Sequence, residues 1–316
     1  MTNATKNDVE SMIIGAMMRE YLRAAVDDIA SADLVVRQHR EEGLADNPEA
    51  IRKLRLSFRR VQYQLATMAK IEKSLTTKTL IRRLHDVGKP FGDLRDAEVL
   101  ELRVIKGLGE RAQTPKGLQL KKIAADARRL EQLATEALID SRAYHETLET
   151  LNEYRRALPT RNISPTMIQP IAQRVLQTSW KRLRREVKRA KRNGSDSNLH
   201  YLRITAKRAL YSTQIFSNVL GPPAEDYAHR VDLLQKFLGK QHDQVLASAW
   251  AKDVGRLHPP LRKLASEFAK DERKRANANA KRWNPYWESV EELQPRQLWR
   301  GERRVRAHFS KGRMSS

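Results

Sequence analysis

The chain has 316 residues, enough for one large or two medium domains, and it carries 61 Lys and Arg against 38 Asp and Glu. The resulting net charge of +23 indicates an anionic partner such as nucleic acid, polyphosphate or anionic lipid. The absence of cysteine excludes a disulfide framework and thiolate metal sites, and no apolar run is long enough to span a membrane. We therefore expect a cytoplasmic protein with no membrane partner.

Helix-period patterning dominates the chain, and strand-like alternation is absent over any useful length, so the sequence predicts an all-α protein. Proline, glycine and asparagine mark the breaks between helices. The predicted helices cover residues 9–42, 48–72, 76–108, 115–155, 164–192, 196–219, 224–254 and 258–292. Four helices, a proline-containing break and four more helices are typical of a duplicated helical bundle.

A basic helical stripe occurs twice, in a first copy at Ile51–Tyr63 and a second copy at Leu199–Tyr211. Positions i, i+3, i+7 and i+11 share one face of a helix, so each copy places three basic residues and a tyrosine in a row. At an offset of 148, the matching pairs are Arg52 with His200, Arg55 with Arg203, Arg59 with Lys207, Arg60 with Arg208, and Tyr63 with Tyr211. Such rows of like charge indicate an extended anionic ligand.

A second internal match aligns FGDLRD, which begins at Phe91, with LGKQHD, which begins at Leu238. Its offset of 147 places Asp96 opposite Asp243 and supports the duplication. Each aspartate could orient a guanidinium by an ion pair or could be a solvated surface carboxylate. Both interpretations remain open.

A basic run precedes the second copy, with eight cations and one acid, Glu186, between Lys181 and Arg192. The run has a narrow apolar edge, so most of its helix surface is expected to be positive. An antiparallel hairpin with the following helix would bring the two basic faces together. The expected contributors are Arg184, Arg185 and Lys188.

These motifs resemble the CHAD family, the conserved histidine α-helical domain. The resemblance rests on an H-x-x-R-x-x-x-K/R-R helix that begins at His200, with a variant that begins at Arg52, and on L-G-x-x-x-D at Leu238. It covers roughly residues 10–290. Arg52 stands where the family usually has histidine, which keeps the positive charge but not the titrating imidazole.

The resemblance implies two pseudo-twofold-related four-helix bundles around a basic central channel that binds inorganic polyphosphate. We expect one domain over residues 1–316, with halves at 9–158 and 162–293 and a basic tail at 295–316. We expect a non-catalytic protein without cofactor or metal that associates with polyphosphate granules. The expected binding residues are Arg52, Arg55, Arg59, Arg60, Tyr63, Arg184, Arg185, Lys188, His200, Arg203, Lys207, Arg208 and Tyr211.

Two other classes of function stay open. A nucleic-acid-binding protein shares the charge argument, although no zinc finger or base-stacking signature is present. A metal-dependent phosphohydrolase of the HD type would rest on His85 and Asp86, which need further metal ligands from elsewhere in the fold. Neither Asp96 nor Asp243 has a nearby carboxylate arranged for acid–base catalysis, and the sequence contains no glycine-rich phosphate loop.

Overall fold

The computed structural model describes residues 3–38, 48–69, 75–157 and 165–293. Every regular element within these ranges is helical, which confirms the predicted all-α class. None of the described helices combines the length and the apolar character that crossing a bilayer demands. The predicted basic tail at 295–316 lies outside the described residues.

The described residues contain eleven α-helices. In chain order they are α1 (Asn3–Gln38), α2 (Pro48–Met68), α3 (Leu75–Leu108), α4 (Pro115–Asp140), α5 (Arg142–Ala157), α6 (Pro165–Arg192), α7 (Asp196–Gln214), α8 (Ser217–Leu220), α9 (Pro222–Leu257), α10 (Arg262–Asn279) and α11 (Asn284–Glu292). Short 3-10 turns at Gly109–Gln113 and Pro259–Leu261 precede α4 and α10.

Three of the predicted helices are interrupted in the structure, and the one over 196–219 breaks between Gln214 and Ser217. The prediction of one helix over 115–155 is wrong, because Ser141 has an extended backbone and its hydroxyl accepts a hydrogen bond from the Tyr144 amide at 3.2 Å. Ser141 therefore caps a new helix, as serine commonly does at a helix N-terminus. The predicted helix over 258–292 likewise ends at Asn279 and restarts at Asn284, with a proline in the new first turn.

The described helices form two compact units. The first contains α1–α5, α9 from Asp243 onward and α10 to Arg275, and the second contains α6–α8, α9 up to His242 and α11. Residues 243–275, which the sequence assigns to the second half, group with the first unit because α9 packs there through Ala247 and Ala251. The pseudo-twofold relation of the halves stays a prediction.

An aromatic group centred on Phe58 of α2 lies in the core of the first unit. Its ring stacks on Phe91 of α3 at a centroid distance of 5.7 Å and meets Tyr144 of α5 edge-on at 5.9 Å. The Tyr144 hydroxyl donates to Asp33 of α1 at 2.8 Å, so this buried phenol has a polar partner. These contacts fix which face of α2 is buried and leave its basic face outside the core.

The core of the second unit joins α6, α7, α9 and α11. Trp180 of α6 stacks on Trp287 of α11 at a centroid distance of 5.2 Å and contacts Tyr227 of α9 at 6.2 Å. Leu183 of α6 and Leu202 of α7 are completely buried in the same cluster. Because each helix places its apolar residues three or four positions apart, the intervening basic residues lie on the opposite face.

Replacing Gly117 by Ala is expected to lower the free energy of unfolding by about 1–3 kcal/mol, because overpacking a tight contact forces the structure to shift. An added Cβ at Gly117 would lie 1.9 Å from the Arg111 carbonyl oxygen. Gly92→Ala is the matched control, since nothing lies within 4 Å of its Cβ position. Alanine there should raise stability by about 0.5–1 kcal/mol, because glycine is a poorer helix former. Urea denaturation followed by circular dichroism measures the free energy of unfolding of both variants. Equal values would contradict the tight contact at Gly117.

Candidate functional site

The exposed face of α6 carries cations that its one acid cannot neutralise. Glu186 is buried and already accepts from Arg185 at 3.2 Å and from Arg189 at 3.2 Å. Within the described residues, no carboxylate pairs with Arg184 or Lys188, and both side chains are exposed. This face of the second unit therefore has uncompensated positive charge next to solvent.

Helices α6 and α7 form the expected hairpin, because only residues 193–195 connect them and the two helices pack together. The Ser195 hydroxyl caps α7 by accepting from the Asn198 amide at 3.3 Å. The Asn198 side chain in turn donates to the Asn193 carbonyl at 2.7 Å. These contacts close the turn and place the basic run beside the second copy.

Helix α7 carries its apolar and its basic residues on different faces. Leu202, Ala206 and Ala209 are completely buried in the core of the second unit. Four of the five predicted site residues of α7 are half-buried along one side, and the fifth is exposed. The half-buried residues are His200, Arg203, Lys207 and Tyr211, and the exposed residue is Arg208.

The structure brings His242 of α9, which is not among the predicted site residues, next to His200 of α7. The His200 and His242 rings lie 4.4 Å apart between centroids, at an interplanar angle of 41°. Gly239, one turn earlier on α9, leaves room for Arg203, whose Nε would lie 3.7 Å from a Cβ at that position. A signal was present, since His242 directly precedes Asp243 in the second internal match.

Burial and neighbouring cations keep both imidazoles neutral. Burial is the main cause that lowers the pKa of His242 to about 4, and Arg203, His200 and Lys207 act in the same direction. Asp196 partly opposes them by raising this pKa. Burial also lowers the pKa of His200, as do Arg203 and Lys207. The free pair therefore contributes hydrogen-bonding atoms but no charge at neutral pH.

The first copy lies on α2 in the first unit. Arg55, Arg59 and Tyr63 are half-buried along one side of this helix. Within the described part of the chain, no carboxylate pairs with Arg59. The three residues thus present positive charge and a phenol on one helix face.

The two other predicted residues of α2 are exposed and already paired. Arg52 contacts Glu49 at 3.1 Å on its own helix. Arg60 contacts Asp28 of α1 at 2.9 Å and lines a cavity of about 340 Å³ together with Lys53. Arg60 follows Arg59 by one residue, about 100° around the helix, so the structure does not bring it into the row. Exposed pairs of this kind are weak, and a phosphate could replace either acid.

The residues proposed for metal-dependent hydrolysis do not form a metal site in the described part of the chain. His85 Nδ1 and Asp86 Oδ1 lie 3.3 Å apart, but their side chains are 63% and 70% exposed. Among the described residues, no group of three His, Cys, Asp or Glu side chains could hold a metal ion. No observation therefore favours the phosphohydrolase alternative.

The two repeat aspartates, Asp96 and Asp243, line one cavity of about 480 Å³ in the first unit. Asp93, Glu131 and Trp250 also line it, so the cavity is acidic despite the strongly basic chain. The structure therefore brings the two aspartates together at one cavity of the first unit. An anionic ligand would be repelled from this cavity.

Comparisons with known proteins support the fold and identify a family. A model of the CHAD domain family matches residues 20–252. The structure is similar to the crystal structure of the CHAD domain from the plant Ricinus communis, with a TM-score of 0.70, 16% identity, and coverage of 89% of this chain and 93% of that chain. It is also similar to PptA from Streptomyces chartreusis, with a TM-score of 0.66, 18% identity, and coverage of 87% and 99%. No curated protein matches the chain. The resemblance drawn from the two sequence motifs is confirmed.

Acid is expected to destabilise the second unit in part through His242. Above pH 6.5, the ordinary pKa of histidine, the imidazole is neutral in the folded and unfolded chains, so its lowered pKa has no effect on stability. Between pH 6.5 and about 4 the unfolded chain binds a proton that the folded chain does not bind. The free energy of unfolding therefore falls as the pH falls through this range.

The substitution His242→Asn removes the imidazole that takes up this proton. The urea midpoint of the variant should therefore fall less than that of the parent between about pH 6.5 and about pH 5. The measurement is circular dichroism without any polyanion present. His229→Asn replaces an exposed histidine of the same helix and serves as the control, which should follow the parent. If the urea midpoint of His242→Asn falls with pH as steeply as that of the parent, protonation of His242 is not coupled to unfolding.

Proposed function

The chain belongs to the CHAD domain family, and from this premise we propose that it binds inorganic polyphosphate through the basic residues of α2, α6 and α7. The observation that carries the proposal is the α6–α7 hairpin. There, Arg184 and Lys188 are exposed and have no paired carboxylate within the described residues, beside half-buried Arg203 and Lys207. The resemblance implies that such residues line a basic channel, and the channel is part of the proposal.

A chain of phosphates matches the chemistry of these helices. Polyphosphate carries about one negative charge per unit and offers no bases, so charge density and hydrogen-bond donors must supply its recognition. The basic run of α6 from Lys181 to Arg192 spans about 18 Å, which is long enough for contacts with several successive phosphates. Arginine donates to phosphate through two nitrogens at once, whereas lysine provides a mobile point charge.

Binding would neutralise charge without making or breaking a covalent bond. Charge-assisted hydrogen bonds and the release of counterions from the polyanion would supply the free energy. Tyr63 and Tyr211 extend the rows with hydroxyl groups that can donate to phosphate oxygens. We therefore assign the protein a binding role without catalysis, in the cytoplasm and at polyphosphate granules.

A competition titration tests this function. Labelled long-chain polyphosphate is bound to the protein at near-physiological salt and displaced with duplex DNA, RNA or short phosphates at equal phosphate concentration. We expect polyphosphate to be preferred over nucleic acid by at least about 100-fold, because a narrow chain can contact rows of side chains that a duplex cannot follow. Equal competition by all polyanions, with a steep salt dependence, would instead identify a general basic surface.

Changing Arg55, Arg203 and Lys207 together to Ala should weaken polyphosphate binding by about 100-fold to 1,000-fold, because each side chain can make a charge-assisted hydrogen bond. The slope of log affinity against log salt should become shallower by about two. Fluorescence anisotropy over a salt series measures both quantities, and circular dichroism checks that the helices remain.

The control for this triple variant removes the same charge from α4. Lys116, Lys122 and Arg129 are exposed there and belong to none of the proposed contacts. Their replacement by Ala should change affinity by less than about fivefold, since only long-range attraction is lost. Equal losses in the two variants would show that net charge, and not the proposed rows, binds the ligand.

A further inference from the structure

Two imidazoles lie next to each other in the second unit, close to Arg203 and Lys207 of the proposed binding residues. His200 of α7 and His242 of α9 have ring centroids 4.4 Å apart. His200 Nδ1 is buried and has no hydrogen-bond partner among the described residues. Rings this close titrate as a coupled pair, because a proton on one ring raises the free energy of adding a proton to the other.

The first copy has arginine at both corresponding positions. The two offsets of the repeat align Arg52 with His200 and Arg95 with His242. Each of these arginines pairs with an acid on its own helix, Arg52 with Glu49 at 3.1 Å and Arg95 with Glu98 at 3.0 Å. Arginine stays charged at every physiological pH. At these two positions the first copy therefore carries permanent charges, and the second copy carries titratable groups.

The compensating acids differ between the copies in the same way. At the repeat offsets, Ser197 stands where the first copy has Glu49, and Val245 stands where it has Glu98. At these aligned positions the second copy thus has neither the permanent cations nor the carboxylates that offset them. Because both the cations and their acids differ between the copies, we infer that the histidines do not simply replace arginine and that they function without a fixed charge.

We propose that the His200–His242 pair makes polyanion binding by the second copy proton-dependent, because phosphate groups bound beside Arg203 and Lys207 draw protons onto the two imidazoles. The inference rests on the proposed function, since it requires a chain of phosphates at these residues. The first copy binds the same ligand through permanent charges, with no such dependence.

The charges that act on the pair come from the two helices that carry it. Helix α7 supplies the cations Arg203 and Lys207 and, in its first turn, the anion Asp196. Helix α9 supplies Gln241, whose side-chain amide donates to Asp196 at 3.2 Å and so engages one of its oxygens. The cations repel protons from both rings in the free protein, and Asp196 offsets this repulsion only in part.

Among the described residues, the acids on the other helices of this unit already have partners. The only acid of α6 is Glu186, and it is paired with Arg185 and Arg189. On α11, Glu288 accepts from Asn284, Glu291 accepts from Trp287, and Glu292 pairs with Arg230. An anionic ligand would therefore be the main new source of negative charge for the imidazoles.

The direction of the effect follows from this electrostatic balance. Burial and cations hold the free pair neutral near pH 7, whereas bound phosphates favour the charged imidazolium form. Between the higher pKa of the bound state and the lower pKa of the free state, binding takes up protons. Affinity therefore rises as the pH falls, by up to about tenfold per pH unit for each proton taken up.

The test is a titration of the full-length protein with long-chain polyphosphate at constant ionic strength, from about pH 8 to about pH 5.5. Long chains are required because their terminal phosphates, which titrate near neutrality, are then a small part of the charge. We expect affinity to rise at least about tenfold on acidification. Calorimetry at about pH 6 in buffers of different protonation enthalpy should show an uptake of about half a proton to two protons.

The informative variant installs the residues of the first copy, His200→Arg together with His242→Arg. We expect its affinity to be nearly independent of pH and its proton uptake to vanish, whatever its affinity at about pH 8. His242→Asn alone should reduce the uptake, and His229→Asn, the exposed control on α9, should leave it unchanged. Proton uptake is also measured on the unmodified protein. The test therefore remains decisive even if one of the variants fails to fold.

The outcomes separate this inference from the function on which it rests. Tight and selective polyphosphate binding with no proton uptake, or a pH profile that survives in the double arginine variant, overturns the proton-dependent contact and leaves the function standing. A protein with no preference for polyphosphate at about pH 8 overturns the function itself.

Discussion

Rows of like charge on helices that must also bury an apolar face are the constraint on which this structure depends. Neighbouring cations on a helix repel each other by about 0.2–0.5 kcal/mol per pair, whereas a fully buried leucine or valine contributes about 1.5–3 kcal/mol. On α6, Leu183 and Val187 are almost completely buried, and Trp180 stacks on Trp287. The core can therefore hold α6 against α7 while their basic faces stay uncompensated. A polyanion would relieve the remaining repulsion, so the same amphipathic pattern accounts for the fold and for the proposed site.

Local pattern predicted the parts of the structure that depend on one helix at a time. The spacing of Leu183, Val187 and Leu202 was enough to assign the buried faces of α6 and α7, and the short break at residues 193–195 was enough to predict their hairpin. Breaks that depend on one side chain were missed. Ser141 ends a long helical pattern with a single cap, because its hydroxyl competes for a backbone amide. The helical periodicity of a sequence does not show where a side chain competes in this way.

Contacts between distant helices could not be predicted from periodicity at all. Arg60 of α2 pairs with Asp28 of α1, a contact that the pattern of neither helix indicates. His242 shows the opposite case, since it lies 42 positions after His200 and still meets its ring at 4.4 Å. Periodicity shows which face of a helix is polar, but the helix packed against that face is determined by tertiary structure. The repeat itself contained a usable clue, because it aligns His242 with Arg95 in the same motif as Asp243.

The difference between the two copies follows from the free-energy cost of charge near a core. Arg203 lies beside Gly239 at a half-buried position, and two further permanent charges at positions 200 and 242 would add repulsion and desolvation there. The first copy avoids this cost because Glu49 and Glu98 lie within ion-pair distance of its arginines. Without acids at those positions, the second copy keeps its rings close only if they are neutral, and histidine is the basic side chain that can be neutral near pH 7. A ligand that supplies the missing negative charge removes the reason for that neutrality. Charge compensation, which is built into the first copy, would then come from the ligand in the second.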